Sequence, residues 1–388
     1  MIIGFFKRKI MKICVSSASG IEAVTKRELN KLGYGDMPAL NGRMTFEGDE
    51  KDVCACNLFL RTANRVYIEL SSFKASSFDE LFNGVSAVEW EKYISENGKI
   101  DVGAKCVDST IHAISATQSI VKKAVCTRLS ANYKTLTESG ESYKIEVSIY
   151  KNIATVLLDS SGSGLHRRGY RGLVGEAPLK ETLASALIDL SVWNEHRQLA
   201  DLFCGTGTIP IEAALKARGI PAGVNRDFDF LHWKSFDSRS FFDMKKCALE
   251  RVKPLEQKIL AFDIDENQLK LARKHAELAG VAEDIHFQKA DMRDFSCRKK
   301  YGVIISNPPY GERLSDRKEI EKLMRDYGNV VKSLDEWSAY TLTPVTDFER
   351  LFGKKADKKR KIYNGRIECV YYSMLAAKPP ERTGREEK

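Results

Sequence analysis

No stretch of this sequence approaches the roughly 18 uninterrupted apolar residues that a membrane-crossing helix needs, which argues against an integral helical membrane protein. Glycine and proline are scarce, 26 and 10 of 388 residues, so a collagen-like or low-complexity chain is excluded. Histidine is scarcer still, six in all, and the nine cysteines are scattered; Cys54 and Cys56 are the one close pair, with no second pair near them. That leaves no zinc-ligand spacing and no metal site is expected. An odd number of dispersed cysteines reads as reduced cytosolic thiols, hence a cytoplasmic protein. The C-x-x-x-C-x-x-C run of a radical-generating cluster and the G-x-x-x-x-G-K-[ST] loop of ATP-binding folds are both missing. Positive charge is in modest excess, +9, so an anionic partner must be held by local clusters.

What is present is enough chain for two or three domains. The first ten residues carry Lys7, Arg8 and Lys9 behind an apolar cluster too short for a signal peptide. Met11 reads as an alternative start, and residues 1 to 10 are expected to be dispensable. Short strands and helices alternate as far as a hairpin, Tyr143 to Ile149 paired with Ala154 to Asp159 across Lys151 and Asn152, an α+β pattern. Ser160-Ser161-Gly162-Ser163-Gly164 reads as a linker. Pro178 opens a helix, and the order becomes strand, glycine loop, helix, strand, helix, strand, the signature of a parallel α/β sheet.

The glycine loop is Asp201-Leu202-Phe203-Cys204-Gly205-Thr206-Gly207-Thr208. Without Cβ atoms at 205 and 207 the backbone can turn sharply and approach a ligand over the strand's carboxyl end. Pro210 replaces the third glycine of the dinucleotide fingerprint, which disfavours NAD. A nucleoside still needs a carboxylate for its ribose, and the strand ending Phe262-Asp263-Ile264-Asp265 supplies it, with Asp263 the better candidate and Asp265 beside it. Asp263 lies 56 residues after Gly207, so an insertion separates them. That insertion, residues 218 to 258, carries Phe228, Phe230, Trp233, Phe236, Phe241 and Phe242, and is expected to cover the edge of the site. A third strand leads to Asp291 and Met292, where the carboxylate could accept from an adenine amine.

A fourth strand ends in Asn307-Pro308-Pro309-Tyr310. Two prolines remove two amide donors, so the turn offers carbonyls and the Asn307 side chain as acceptors. That suits an exocyclic nucleobase amine, whose lone pair is delocalised into the ring. Accepting both its hydrogens, at the Asn307 oxygen and the Pro308 carbonyl, favours the pyramidal nitrogen needed to attack an electrophilic methyl group. Tyr310 can stack on a base unstacked from its helix.

Basic clusters mark candidate phosphate contacts. Seven basic residues and one acid lie between Gly353 and Arg366, among them Lys354, Lys355, Lys358, Lys359 and Arg360. Lys122, Lys123 and Arg128 on an amino-terminal helix, with Arg167, Arg168 and Arg171 beyond the linker, are further candidates.

The glycine loop, the run Asn307 to Leu314, Leu165-His166-Arg167-Arg168-Gly169-Tyr170-Arg171 and the closing Arg360 to Cys369 together resemble the THUMP-domain class I S-adenosylmethionine-dependent RNA methyltransferases. The resemblance is closest to the group containing the amino-terminal half of the bifunctional bacterial 23S rRNA guanine methyltransferase, over about residues 12 to 378. It implies a ferredoxin-like module at 11–65, a THUMP RNA-binding domain at 66–160 and a Rossmann-like methyltransferase domain at 165–380. It also implies S-adenosylmethionine as cofactor and the N2 amine of a guanine in 23S rRNA as target, with tRNA as the alternative substrate. Carried over by motif, residues 201 to 207 cradle the methionine part, Asp263 the ribose, Asp291 and the Met292 backbone the adenine, and Asn307 to Tyr310 the target base. A catalytically inactive RNA chaperone fits less well, because loop, acids and Asn307 are all present.

Overall fold

The computed structural model describes residues 10–35, 37–40, 42–171, 179–311 and 317–378. Expectations placed on residues 1–9, on Pro178 and on Glu312, Arg313 and Leu314 lie outside that range. The chain divides into two compact units, the first formed by residues 1–18, 25–168 and 221–250 and the second by 19–24, 169–220 and 251–388.

The first unit is built on one seven-stranded sheet, in the order β2-β3-β1-β4-β7-β6-β5. Its strands are β1 (Met11–Ser17), β2 (Ala39–Leu40), β3 (Arg43–Gly48), β4 (Ala63–Lys74), β5 (Lys99–Val107), β6 (Ser142–Tyr150) and β7 (Ile153–Asp159). Strand β4 is long enough to serve two partners, pairing with β1 from Ala63 to Glu69 and with β7 from Tyr67 to Lys74. The boundary expected at 65/66 therefore falls inside a strand that the two front modules share. The β6–β7 turn is as the sequence predicts: Lys151 and Asn152 both take left-handed φ, 49° and 60°, the backbone of a tight hairpin.

Alternation along the strands sends Ile13, Val15, Ile145, Val147 and Ile149 into a core under α1 (Glu22–Lys31), α2 (Glu50–Phe59), α3 (Phe78–Ser86) and α4 (Ile114–Ser130); α5 (Glu181–Leu190) and α7 (Arg239–Leu249) follow later in the chain. The aromatic insertion completes that core. Phe228, Phe230 and Phe241 are buried in it, Trp233 stacks on Tyr143 with centroids 5.5 Å apart, and its indole N–H donates to the Ser142 carbonyl at 3.0 Å. The insertion's rings, the exposed Phe242 apart, are thus committed to the core of the first unit, which corrects the expectation that they cover the edge of the site. The serine-rich segment also departs from expectation. Ser160 and Ser161 are fully buried; Ser160 donates to the Val66 carbonyl at 2.7 Å and Ser161 to Asn57 Oδ1 at 2.7 Å. Small hydroxyls there satisfy buried backbone and amide groups, a task that looks identical to a linker in composition alone.

The second unit holds another seven-stranded sheet, in the order β10-β9-β8-β11-β12-β14-β13. Its strands are β8 (Leu199–Asp201), β9 (Ile259–Asp263), β10 (Ile285–Lys289), β11 (Val303–Ser306), β12 (Ser338–Thr343), β13 (Lys358–Asn364) and β14 (Ile367–Met374). The first five positions are parallel and β14 runs antiparallel to both its neighbours. Chain order runs one way from β8 to β9 and β10 and the other way from β11 to β12. Between β8 and β11 the carboxyl ends part, and in such sheets that switch point is where ligands sit.

Candidate active site

Three strand ends converge at the switch point. Asp201 closes β8, Asp263 closes β9, and Asn307 follows Ser306 at the end of β11. The Gly205–Gly207 loop then starts α6 (Thr208–Ala217). Gly205 and Gly207 have φ of 51° and 83°, a region that costs any side chain. At Gly207 a Cβ would also sit 3.0 Å from Ala272 Cβ, on α8 (Glu266–Ala279), whereas at Gly205 it would meet nothing within 4 Å. The second glycine therefore serves close packing, and the first leaves its face open to a ligand.

Asp263 ties the loop to the acid strand. Its Oδ2 accepts from Gly205 N at 2.8 Å and its Oδ1 from Asp265 N at 2.9 Å. Asp265 itself is exposed and caps α8, accepting from Asn267 N at 2.8 Å. Asp201 is only 1% exposed; its Oδ1 accepts from Ser306 Oγ at 2.8 Å and from Phe203 N at 3.1 Å. Burial pushes its pKa up to about 7, with a smaller push from the Asp263 carboxylate, against those two hydrogen bonds. Asp201→Asn keeps an acceptor there without the buried charge. The native carboxyl holds its proton more tightly than an unfolded one, so stability falls as pH rises from about 4 to about 7. The variant is therefore expected to melt a few degrees higher at pH 7.5, with the gain gone at pH 4. Differential scanning fluorimetry checks this, and equal midpoints at pH 7.5 would reject it.

The cavity has two lobes that share Phe203, Gly205 and Asn307. One, of about 210 Å³, is lined by Asp201, Cys204, Thr206, Thr208 and Gln268. The other, of about 400 Å³, is lined by Asp263, Ile264, Asp291, Met292, Pro309 and Leu323. The larger lobe has the acid and apolar walls a nucleoside requires, the smaller the polar groups an amino-acid moiety requires. Ile264, 66% exposed, and Leu323 were not anticipated. An apolar residue directly after the strand-end acid was the available signal for Ile264; Leu323 reaches the site only through the fold. Asp291 is paired with Arg293, Oδ2 to Nη1 at 2.7 Å, and Arg293 pairs with Asp326 as well. Cys204 is buried and its thiol is pushed well above the ordinary range by desolvation and then by Asp201 and Asp263, so it stays protonated.

The loop is braced from behind. Arg171 donates to Thr208 Oγ1 and pairs with Glu181 at 3.3 Å; Tyr170 donates to Glu212 at 3.0 Å. His275 Nδ1 meets the Thr206 carbonyl at 3.2 Å, and because a carbonyl only accepts, that nitrogen carries the hydrogen.

The expected phosphate contacts sort into three groups. Arg168, 3% exposed, donates to the carbonyls of Leu165 and Arg61, and Arg171 is spent on α6. For these two the surface expectation is corrected: motif arginines serve buried carbonyls and helix packing. Arg128 forms a two-pronged pair with Glu91, and Lys122 pairs with Glu138 at 2.9 Å. Lys123, Arg167, Lys354, Lys355, Lys358, Lys359 and Arg360 are exposed. Within that set Lys359 pairs with Glu349 and Arg360 donates to the Gly20 carbonyl at 3.2 Å. Among the described residues no cluster of metal-binding side chains occurs, and no helix is long and apolar enough to cross a membrane.

Residues 168–373 match the RMKL-like methyltransferase domain. The chain belongs to the RMKL-like methyltransferase family. Residues 12–67 match the RlmL ferredoxin-like domain and 75–159 the THUMP domain. Over 380 residues the chain is 41% identical to YpsC of Bacillus subtilis (strain 168), whose name makes it a candidate RNA methyltransferase, covering 96% of this chain and 98% of that one. It is 30% identical to the ribosomal RNA large subunit methyltransferase K/L of Psychromonas ingrahamii, covering 96% of this chain but 52% of that protein, about half its length. Among solved structures, SMU.472, described as a methyltransferase candidate complexed with S-adenosylhomocysteine, superimposes with a TM-score of 0.89 at 38% identity, covering 96% of this chain and all of that one. A Listeria monocytogenes protein described as an N6-adenine-specific DNA methylase superimposes with the same TM-score of 0.89 at 40% identity, covering 95% of this chain and 97% of that one. A member of the RMKL-like family takes its methyl group from S-adenosylmethionine, and the two-lobed cavity has the carboxylates, polar groups and apolar walls that suit that molecule.

Proposed function

We propose that this RMKL-like methyltransferase transfers a methyl group from S-adenosylmethionine to the exocyclic N2 amine of a guanine in 23S rRNA. The observation that carries this reading is Asn307, which borders both lobes of the cofactor cavity at the head of a turn whose two prolines carry no amide donor. In it, Asp201 and residues 203 to 207 face the methionine part, Asp263 the ribose, Asp291 and Met292 the adenine. The Asn307 oxygen and the Pro308 carbonyl accept the amine's hydrogens, leaving its lone pair aimed at the sulfonium methyl; as the N–C bond forms the S–C bond breaks, S-adenosylhomocysteine leaves, and the amine gives up one proton to solvent. That electrophile needs no further activation; what the site adds is orientation and a pyramidal nitrogen. The name of the K/L relative favours ribosomal RNA; tRNA is the second substrate the architecture allows.

The decisive experiment is mass spectrometry of nucleosides from separated rRNA and tRNA of a strain lacking the protein. Loss of N2-methylguanosine from 23S rRNA is the expected result. Its loss from tRNA selects the second substrate, and loss of N6-methyladenosine instead would overturn the guanine assignment.

RNA contact is proposed at two surfaces. One is the edge strand β13 with its exposed Lys358 and Arg360, together with the exposed Lys355 just before it. The other is an open trough of about 780 Å³ on the first unit's sheet, lined by Lys12, Arg43, Lys105 and Lys151 with Glu69 as its acid. Sequence reading missed the trough because alternate residues of separate strands become neighbours only across the sheet. Replacing Lys355, Lys358 and Arg360 by alanine is expected to lower the slope of log affinity against log salt by about one per lost phosphate contact, up to three. Filter binding at several salt concentrations reads the slope, and an unchanged slope would make this strand a solvated edge.

A further inference from the structure

The closing hairpin holds an asparagine that its turn does not need. From the sequence, Asn364-Gly365 looks like a turn pair, a place where asparagine is favoured because it tolerates left-handed backbone. In the structure Asn364 pairs with Ile367, so the two-residue loop is Gly365 and Arg366. Gly365 takes the positive φ, 64°, and Asn364 does not. Asn364 is the last residue of β13, in ordinary strand backbone that any residue could adopt.

Its side chain has a specific destination. Neighbours Lys358 to Lys361 and Tyr363 are exposed, but the Asn364 amide turns toward the Asn-Pro-Pro-Tyr turn, and its Nδ2 donates to the Tyr310 hydroxyl at 3.1 Å. That hydroxyl donates to Asn307 Oδ1 at 2.6 Å. Cys369 Sγ lies 3.7 Å from the same hydroxyl. The arrangement is directional: Tyr310 accepts from Asn364 and spends its one proton on Asn307. It uses one of the two lone pairs of Oδ1 and fixes the plane of the Asn307 amide. Burial pushes the Tyr310 phenol further up from its ordinary value, which keeps the proton in place across the working range.

We propose that Asn364 is a positioning residue for methyl transfer: acting through the Tyr310 hydroxyl, it holds the Asn307 amide with its second lone pair directed at the target amine. The inference rests on Asn307 being the acceptor of that amine. It gives Tyr310 two separable roles, its ring against the base and its hydroxyl in this chain, and it makes the Tyr-Asn-Gly run of the last hairpin part of the site.

Tyr310→Phe keeps the ring and removes the hydroxyl; Asn364→Ala removes the far end of the chain. Each is expected to lower kcat about tenfold, with the KM for RNA and the Kd for S-adenosylmethionine unchanged. Because the two act through one path, the double variant should lose no more than the more damaged single one. Multiplying losses, or a fall in thermal midpoint with wild-type kcat, would overturn the proposal and leave Asn364 a hairpin brace. Asn307→Ala measured alongside separates the two levels of argument. Full activity there removes the acceptor role itself, while inactivity there with normal turnover in Asn364→Ala removes only the relay.

Discussion

Asn307→Ala is expected to lower kcat by about 100- to 1,000-fold, the cost of removing one preorganised group that acts on the reacting atoms. In the proposed mechanism the amide pyramidalises the nitrogen, an interaction stronger in the transition state than in the bound substrate, so the loss should appear in kcat. Folding should survive, since Asn307 is half-buried at the mouth of the cavity while the neighbouring core residues Val303, Ile304 and Ile305 are untouched. Affinity for RNA should hold as well, because phosphate contacts far from the target base dominate it. Asn307→Asp is the informative companion: a carboxylate still accepts from Tyr310 and from the amine, so it should retain more activity than alanine. Single-turnover methylation with tritiated donor measures both. Turnover of Asn307→Ala within threefold of wild type would remove the side chain from the chemistry.

The parts of the site legible from sequence were those where backbone geometry demands a residue type. Gly205 and Gly207 announce themselves because only glycine is comfortable at their φ, and consecutive prolines after Asn307 because they delete donors. Strand-end acids at 201 and 263 were readable from the apolar runs before them. Arginines were not: Arg168 and Arg171 look like phosphate ligands in a string of letters, yet one caps buried carbonyls and the other braces α6. A guanidinium's donors suit both tasks, and only the fold decides between them. The same ambiguity hid the insertion. Aromatic residues between charges describe a lid and a core excursion equally well, and its place under the first unit's sheet is set by the stacking of Trp233 on Tyr143. In the sequence Asn364 looks like turn chemistry because Asn-Gly is a strong hairpin signal. A one-residue shift of the loop returned it to the strand and freed its side chain.

Asp263→Ala is expected to raise the Kd for S-adenosylmethionine by about 100-fold, since a carboxylate accepting two ribose hydroxyls supplies two charge-assisted hydrogen bonds. The effect has a second source within the protein. The carboxylate holds Gly205 N at 2.8 Å and Asp265 N at 2.9 Å, so it shapes the loop proposed to face the methionine part. Removing it leaves the Gly205 N–H without its acceptor and takes away the charge that adds to the raised pKa of Asp201. Asp201 should then ionise at lower pH, and donor binding in the variant should lose part of its pH dependence near 7. Isothermal titration calorimetry from pH 6 to 8 measures both quantities. Asp263→Asn distinguishes the two sources: an amide can still accept from Gly205 N and preserve the loop, but it offers one acceptor oxygen to the ribose in place of two. Affinity midway between wild type and alanine is therefore expected for it. If Asp263→Ala binds the donor as wild type does, the ribose contact lies elsewhere and Asp263 is a loop anchor alone.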